Sequence, residues 1–227
     1  MKLLAFDTST PWLSVACGTG EEWATRAEPA GQAHSERLLP LVDAVLAEAG
    51  WRLADLDASA FGAGPGSFTG VRIACGVAQG LALGAGLPLV PVPTLEALAQ
   101  SAWRTHRVTR VLACLDARMR EVYVAAYRRE GERWHPAVAP AVVHPDEVRA
   151  PDDGRWFGAG DGFAAYPHIL ANFDRDAALV PVARHIAELA LPRLEAGEAV
   201  DAEHALPLYV RHRVALTTAE RAGGARL

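Results

Sequence analysis

The sequence is short of cysteine, of clustered basic charge and of long apolar runs, and each shortage removes a class of protein. Its three cysteines, Cys17, Cys75 and Cys114, stand far apart in apolar contexts. No two have metal-ligand spacing, and an odd number closes no disulfide framework. They read as buried thiols of a reducing compartment. The formal net charge of −5 is mild and gives no reason to expect tight nucleic-acid binding by the chain alone. No stretch of about 18 uninterrupted apolar residues exists, the nearest candidate carrying Arg72, Gln79 and several glycines. The apolar run before Asp7 is too short for a signal h-region. A soluble protein of the cytoplasm is therefore expected, with no membrane partner.

Catalytic signatures are also scarce. His34-Ser35-Glu36-Arg37-Leu38 has a leucine where H-E-x-x-H needs its second histidine. No helical pair of histidines stands at i, i+4, and G-x-S-x-G is absent. The acidic pair Asp152-Asp153 sits in a Pro/Gly loop and reads as solvent-facing. No metal site is expected.

What is present is a globular composition of 227 residues, 51% hydrophobic and 22% charged, enough for one large or two small domains. Three strands open the chain, over 2–6, 13–18 and 21–28, the last two joined by a turn near Gly18 to Gly20. The period then changes. Leu38, Leu41, Val42, Val45, Leu46 and Ala49 line one face of a helix that stops at Gly50, and Pro40 falls inside it. A short strand (58–63), a glycine-rich loop, a helix (67–83), a strand (88–92) and a helix (95–103) follow, with Thr94 expected as N-cap. Strand, crossover helix, strand implies parallel pairing, whereas the opening trio should be an antiparallel meander.

After a polar connector, 105–110, a second strand trio covers 111–117, 121–130 and 134–143. Helices are expected near 163–173 and 182–197. Two related lobes follow, the second poorer in helices. From about 214 periodicity fades, and a frayed tail is expected.

The loop reads GAGPGSFTGVRIA, residues 62–74. Gly64, Gly66 and their neighbours can bring backbone N–H groups to a phosphate at a helix N-terminus, or they can let two elements pack closely. No lysine follows as in a P-loop, and no ribose-binding acid lies about twenty residues on, so both nucleotide fingerprints fail. Asp7, Thr8 and Ser9, ending the first strand, can hold Mg²⁺ or face a phosphate, or simply form an Asx or Ser/Thr turn. Together with Gly64 and Gly66 they are the candidate remnant of a nucleotide loop. Beyond the loop, Gly76, Gly80 and Gly84 recur every four residues. Each costs about 1 kcal/mol against alanine in a helix interior. Such a stripe suits close approach of another backbone, inside the chain or between chains.

LLAFDTSTPWLSVA, QAHSERLLPLVDAVLAEAG, GAGPGSFTGVRIACGVAQGLA, PVPTLEALA and DARMREVYVAAY, in that order, resemble the TsaB (YeaZ) family of bacterial tRNA threonylcarbamoyladenosine biosynthesis proteins. The likeness is close over about 1–130 and looser beyond. It implies an α/β fold of the actin-like ATPase (ASKHA) superfamily. Two ribonuclease-H-like lobes with mixed sheets are expected: 1–104, carrying the pairing helices, and a reduced 105–213, with 214–227 as a flexible tail. The family's catalytic relative, TsaD, has a metal-binding H-x-x-x-H where this chain has Thr94 to Leu98. Neither threonine nor leucine replaces a histidine ligand, so an accessory subunit is expected and not the transferase.

The resemblance further implies pairing with TsaD, joined by the ATPase TsaE, through the two helices at about 35–49 and 67–83. A homodimer through the same helices is expected when the partner is absent. The interface candidates are His34, Arg37, Leu41, Arg72, Cys75, Gly76, Gln79 and Gly80. No cofactor is expected on the chain alone, ATP or ADP entering only in the complex, and tRNA is expected to be met only through it. The alternative is a stand-alone actin-like ATPase or small-molecule kinase using Asp7 and the glycine-rich loop. Direct tRNA binding by the basic clusters Arg118, Arg120, Arg128, Arg129 and Arg211 to Arg213 is disfavoured by the net charge.

Overall fold

The computed structural model describes residues 1–211; the expected tail, together with His212 and Arg213, lies outside the described residues. Five strands, β1 (Leu3–Asp7), β2 (Trp12–Thr19), β3 (Glu22–Pro29), β4 (Ala58–Gly64) and β5 (Leu89–Pro93), form a mixed sheet in the order β3-β2-β1-β4-β5. The opening meander is antiparallel, and β1, β4 and β5 are parallel. Between them run α1 (His34–Ala49) and α2 (Phe68–Ala85), followed by α3 (Thr94–His106).

The second sheet is built from β6 (Arg110–Arg118), β7 (Glu121–Glu130), β8 (Arg133–Val143), β9 (Phe157–Ala159) and β10 (Arg175–Asp176), in the order β10-β9-β6-β7-β8. The remaining helices are α4 (Gly162–Ala165) and α5 (Ala183–Glu195). Two mixed sheets with helices make this an α/β protein of the actin-like, ribonuclease-H-like kind.

Alternation along each strand explains the layering. Leu4, Phe6, Val15, Cys17 and Phe61 turn to one face, where α1 and α2 cover them with Leu38, Val42, Val45, Ala74 and Ala78. Leu3, Ala5, Ala16, Ala60 and Val90 turn to the other, against α3 and α5. The second sheet faces the same two helices with Val111, Ala113, Leu115, Ala125 and Tyr127. Its outer face, Leu112, Cys114, Val122 and Val124, packs on Trp156, Phe163 and Ile169. So α3 and α5 form a middle layer shared by both sheets, while α1 and α2 lie outside the first.

The expected elements fall within a few residues of those found, with three differences. The helix expected over 163–173 is four residues long, because Pro167 stops it and the chain continues as turns. Thr94 is not an N-cap but the first residue of α3; Pro93 is the cap, and the Thr94 hydroxyl accepts from the Gly64 N–H at 3.1 Å. Finally, α5 crosses back to pack on β1, β2, β4 and β5 of the first sheet. The N–H of Ala183 donates to the Ser14 hydroxyl at 2.8 Å, and Val200 bridges to Leu89 on the β5 edge.

Pro40 lies inside α1, and both it and Glu36, whose carbonyl loses its ladder partner, are exposed residues. By length and composition α2 could cross a membrane, but its Val71, Ala74, Ala78 and Ala82 face belongs to the core.

Candidate functional site

The C-terminal end of β1 meets the glycine-rich loop at van der Waals distance. A Cβ on Gly70 would lie 1.9 Å from the Thr8 carbonyl oxygen, and one on Gly66 would lie 2.4 Å from that of Ser9. One on Gly62 would lie 1.8 Å from an Asp7 carboxylate oxygen. Hydrogen bonds then stitch the loops together. The Thr8 hydroxyl donates to the Gly70 carbonyl at 2.6 Å, and the Ser67 N–H donates to the Ser9 carbonyl at 2.7 Å. The Ser67 hydroxyl caps α2 by accepting from the Gly70 N–H at 3.3 Å. The amides of Gly64, Ser67, Gly70 and Val71 are thus all taken within the chain. These glycines serve close packing of backbone on backbone.

Asp7 is only 1% exposed. Burial pushes its carboxyl up to about 7, partly offset by the Ser9 N–H and hydroxyl, which donate to it at 3.0 and 2.9 Å. It sits against Gly62, with Ile186 of α5 beside them, and is not among the residues lining the neighbouring cleft.

That cleft, about 600 Å³, lies between the two sheets. Ser9, Thr10, Ser67 and Arg72 line it from the first lobe, and Asp116, Arg118 and Asp161 from the second. The Asp116 N–H donates to Asp161 at 3.0 Å, and Arg118 pairs with Asp116 at 2.9 Å. Burial raises the pKa of Asp161, and the Asp116 charge adds to the rise. Residues Leu208–Arg211 cross the mouth. The Leu208 N–H donates to the Ala63 carbonyl, and Arg211 reaches the Ala117 carbonyl and Glu121. His34 also lines the cleft, its Nε2 buried and without a hydrogen-bond partner among the described residues.

The outward face of α1 and α2 is the second candidate. Cβ atoms on Gly76, Gly80 and Gly84 would meet nothing within 4 Å among the described residues. No other described residue packs on the stripe. Phe68 and Leu83, 55% and 73% exposed, stand at its two ends. Arg72 lies on the same face, its guanidinium 3.3 Å from the Phe68 ring centroid and 4.9 Å from that of Tyr209. On α1, Leu39 is 47% exposed, and exposed Arg37 pairs with Glu28 at 2.8 Å.

The eight interface candidates therefore divide. Arg37, Arg72, Gly76 and Gly80 lie on the surface. His34, Leu41 and Cys75 turn inward, Leu41 and Cys75 into the core, and their side chains are corrected out of the outer face. Gln79 is half-buried, and its amide and the Cys75 thiol both donate to the Ala205 carbonyl at 3.1 Å. Sequence reasoning missed Leu39, Phe68 and Leu83. Leu39 could have been found as the leucine that falls off the apolar stripe of α1. Phe68 could have been found from the i, i+4 row it shares with Arg72, Gly76 and Gly80.

At the position of the relative's H-x-x-x-H, Thr94 and Leu98 are both fully buried, Thr94 bonded to Gly64 and Leu98 packed in the core. Among the described residues no group of three or more His, Cys, Asp or Glu is placed to hold a metal ion.

Comparison with known proteins agrees with this architecture. A family model described as TsaD, tRNA N6-adenosine threonylcarbamoyltransferase, matches residues 27–219. The tRNA threonylcarbamoyladenosine biosynthesis protein TsaB of Escherichia coli is 43% identical over 95% of this chain and 96% of its own length. That of Haemophilus influenzae is 38% identical over 94% and 95%. The solved structure of YeaZ from Pseudomonas aeruginosa superposes with a TM-score of 0.88 at 43% identity, covering 92% of this chain and 99% of its own. The chain belongs to the TsaB (YeaZ) family of tRNA threonylcarbamoyladenosine biosynthesis proteins.

Proposed function

We propose that this chain is a non-catalytic partner required for threonylcarbamoyl transfer to the adenosine next to the anticodon, in tRNAs reading codons that begin with adenine. In this reading it docks on the transferase TsaD through the outward face of α1 and α2 and holds it active, with the ATPase TsaE joining the pair. The observation that carries the reading is the stripe Gly76, Gly80, Gly84 open to solvent between Phe68 and Leu83. Glycine in a helix interior is costly, and these three relieve no crowding within the chain. A face of small residues flanked by apolar ones suits another helix at close range. The same face would serve a second copy when TsaD is absent. The residues at Thr94 and Leu98 lack metal-ligand chemistry, which supports an accessory role. Work in the cytoplasm, contact with tRNA through the complex, and ATP or ADP held only there complete the reading.

The test is threonylcarbamoyl transfer in a mixture of TsaD, TsaE, ATP, the adenylate donor and unmodified tRNA. Product should appear only when this chain is added, and none when TsaD is omitted. Unchanged product without the chain would sink the proposal. A second reading, a stand-alone actin-like ATPase or kinase, draws on the 600 Å³ cleft beside the β1 loop. It needs Asp7 at a phosphate or metal, whereas Asp7 is enclosed by Gly62 and Ser9. Tight ATP–Mg²⁺ binding by the chain alone in calorimetric titration would favour it.

A further inference from the structure

At the end of β6 remote from the cleft, basic side chains from three elements converge. Arg104, His106 and Arg107 end α3, Arg110 opens β6, and Arg128 and Arg129 close β7. Arg110 and Arg128 are cross-strand partners, a like-charge pairing that costs stability. Trp103 sits among them, partly buried. The guanidinium carbons of Arg129, Arg104 and Arg107 lie 3.8, 4.6 and 5.0 Å from its ring centroid.

Three carboxylates answer part of this charge. Glu188 takes Arg104 and Arg184, Asp176 takes His106, and Asp153 takes Arg128. Three guanidinium groups remain without a carboxylate partner among the described residues. Arg107 makes no ion pair, and Arg110 and Arg129 donate only to the backbone carbonyls of Asp153 and Gly131. The Arg129 Nε is buried and unbonded. Glu130 and Glu132, in and beside the β7–β8 turn, and exposed Asp152, next to Asp153, are further acids near this rim. A rim that gathers cations at a cost in stability, around an indole, suits a polyanion with planar bases.

We propose that this rim binds the phosphate backbone of structured RNA, which, given the function proposed above, is the substrate tRNA. Four residues of β6, 111–114, lie between Arg110 at the rim and Leu115 at the cleft, roughly 17 Å at strand rise. The rim belongs to the middle layer and second sheet, whereas α1 and α2 lie outside the first sheet, so docking on that face leaves the rim uncovered. Three unpaired guanidiniums supply only a few phosphate contacts, against an overall charge of −5. Binding by the chain alone is therefore weak and strongly salt-dependent, and gains force only beside a second RNA-binding subunit.

Arg107→Glu is the main variant. The residue closes α3 at φ 57°, forms no ion pair, and the substitution adds no new backbone demand. Fluorescence anisotropy of the full chain with unmodified tRNA at low salt should show affinity reduced about tenfold, and a log–log salt slope smaller by about one. In the transfer reaction with TsaD and TsaE, KM for tRNA should rise with kcat unchanged. Arg107→Lys should restore both readouts, as a phosphate contact allows and a purely structural stack on Trp103 does not. Arg120→Glu, a charge reversal at an exposed arginine of like backbone conformation, φ 62°, in the β6–β7 turn at the opposite end of β6, should leave them unchanged. Unaltered slope and KM in Arg107→Glu, or equal losses in Arg120→Glu, would overturn the proposal. A chain dispensable for transfer would count against the accessory role instead, leaving the binding measurement to decide this one.

Discussion

Two sets of glycines, a few residues apart in the sequence, do opposite things. Gly62, Gly66 and Gly70 have no room for a methyl group, since Thr8, Ser9 and Asp7 already occupy it. Gly76, Gly80 and Gly84 have no described residue beside them. The first set is explained entirely by this chain, which needs two backbones in contact. The second set is costly to the isolated chain and brings it no contact among the described residues, a cost that the proposed function accounts for by a partner docking there. Under that proposal, identical residues record one constraint from folding and another from assembly.

The largest expected effect comes from filling the crowded set. Gly70→Ala forces a methyl group onto the Thr8 carbonyl, a backbone atom that cannot move aside cheaply. It should destabilise the chain by about 4 kcal/mol or more, read as a collapse of the urea midpoint. A midpoint near the parent's would break the comparison at its first half.

Asp7, pressed against Gly62, gives the next effect. Its folded pKa of about 7 lies above the ordinary 3.8, so the folded chain keeps a proton that the unfolded chain releases. The stability due to this group is full below about pH 3.8, falls as pH rises, and is gone above about 7. Asp7→Asn removes the loss. Relative to the parent it should gain on the order of 3–4 kcal/mol between about pH 4 and pH 8, measured by urea melts across that range. Buried His185 has the opposite sign. Burial holds it down to about 4 from 6.5, so its contribution is full above 6.5 and is lost as pH falls through 4. The two slopes oppose each other between about pH 4 and 6.5, and Asp7→Asn should leave that of His185 visible.

Filling the open set should spare the fold and harm assembly. Gly80→Leu should weaken pairing with TsaD at least about tenfold, or 1.4 kcal/mol, while melting no lower than the parent. Normal pairing in calorimetry would remove the glycine stripe from the interface. The smallest effect sharpens the same point: Gly76→Ala should raise the stability of the isolated chain by about 1 kcal/mol, since only helix propensity changes.

Much of the fold was legible because periodicity changes cleanly, from alternation in the opening trio to the Leu38, Leu41, Val45 stripe and back. The start of α3 was legible to within one residue of Thr94, but not the bond of Thr94 to Gly64, which joins residues thirty apart. The outer face of α2 was not legible, because a helix apolar nearly all round has no polar side to mark its exterior. Cys75, an interface candidate by sequence, turns its side chain to the core. Leu41 belongs to the α1 stripe, whose direction already points it to the core. The cleft was out of reach, since Asp116 and Asp161 lie far apart in sequence and meet only when the second sheet forms.

The crossing of α5 also bears on the order in which the chain is made. All five strands of the first sheet have been synthesised by Pro93, together with the α1 and α2 that cover one side. The helix that lies across the other side, over β1, β2, β4 and β5, is not complete until Glu195. A nascent chain thus carries a half-covered sheet through the synthesis of about a hundred further residues, at least several seconds at ordinary elongation rates. The lobes are two sheets but one folding transaction, and the first to be made is among the last to close.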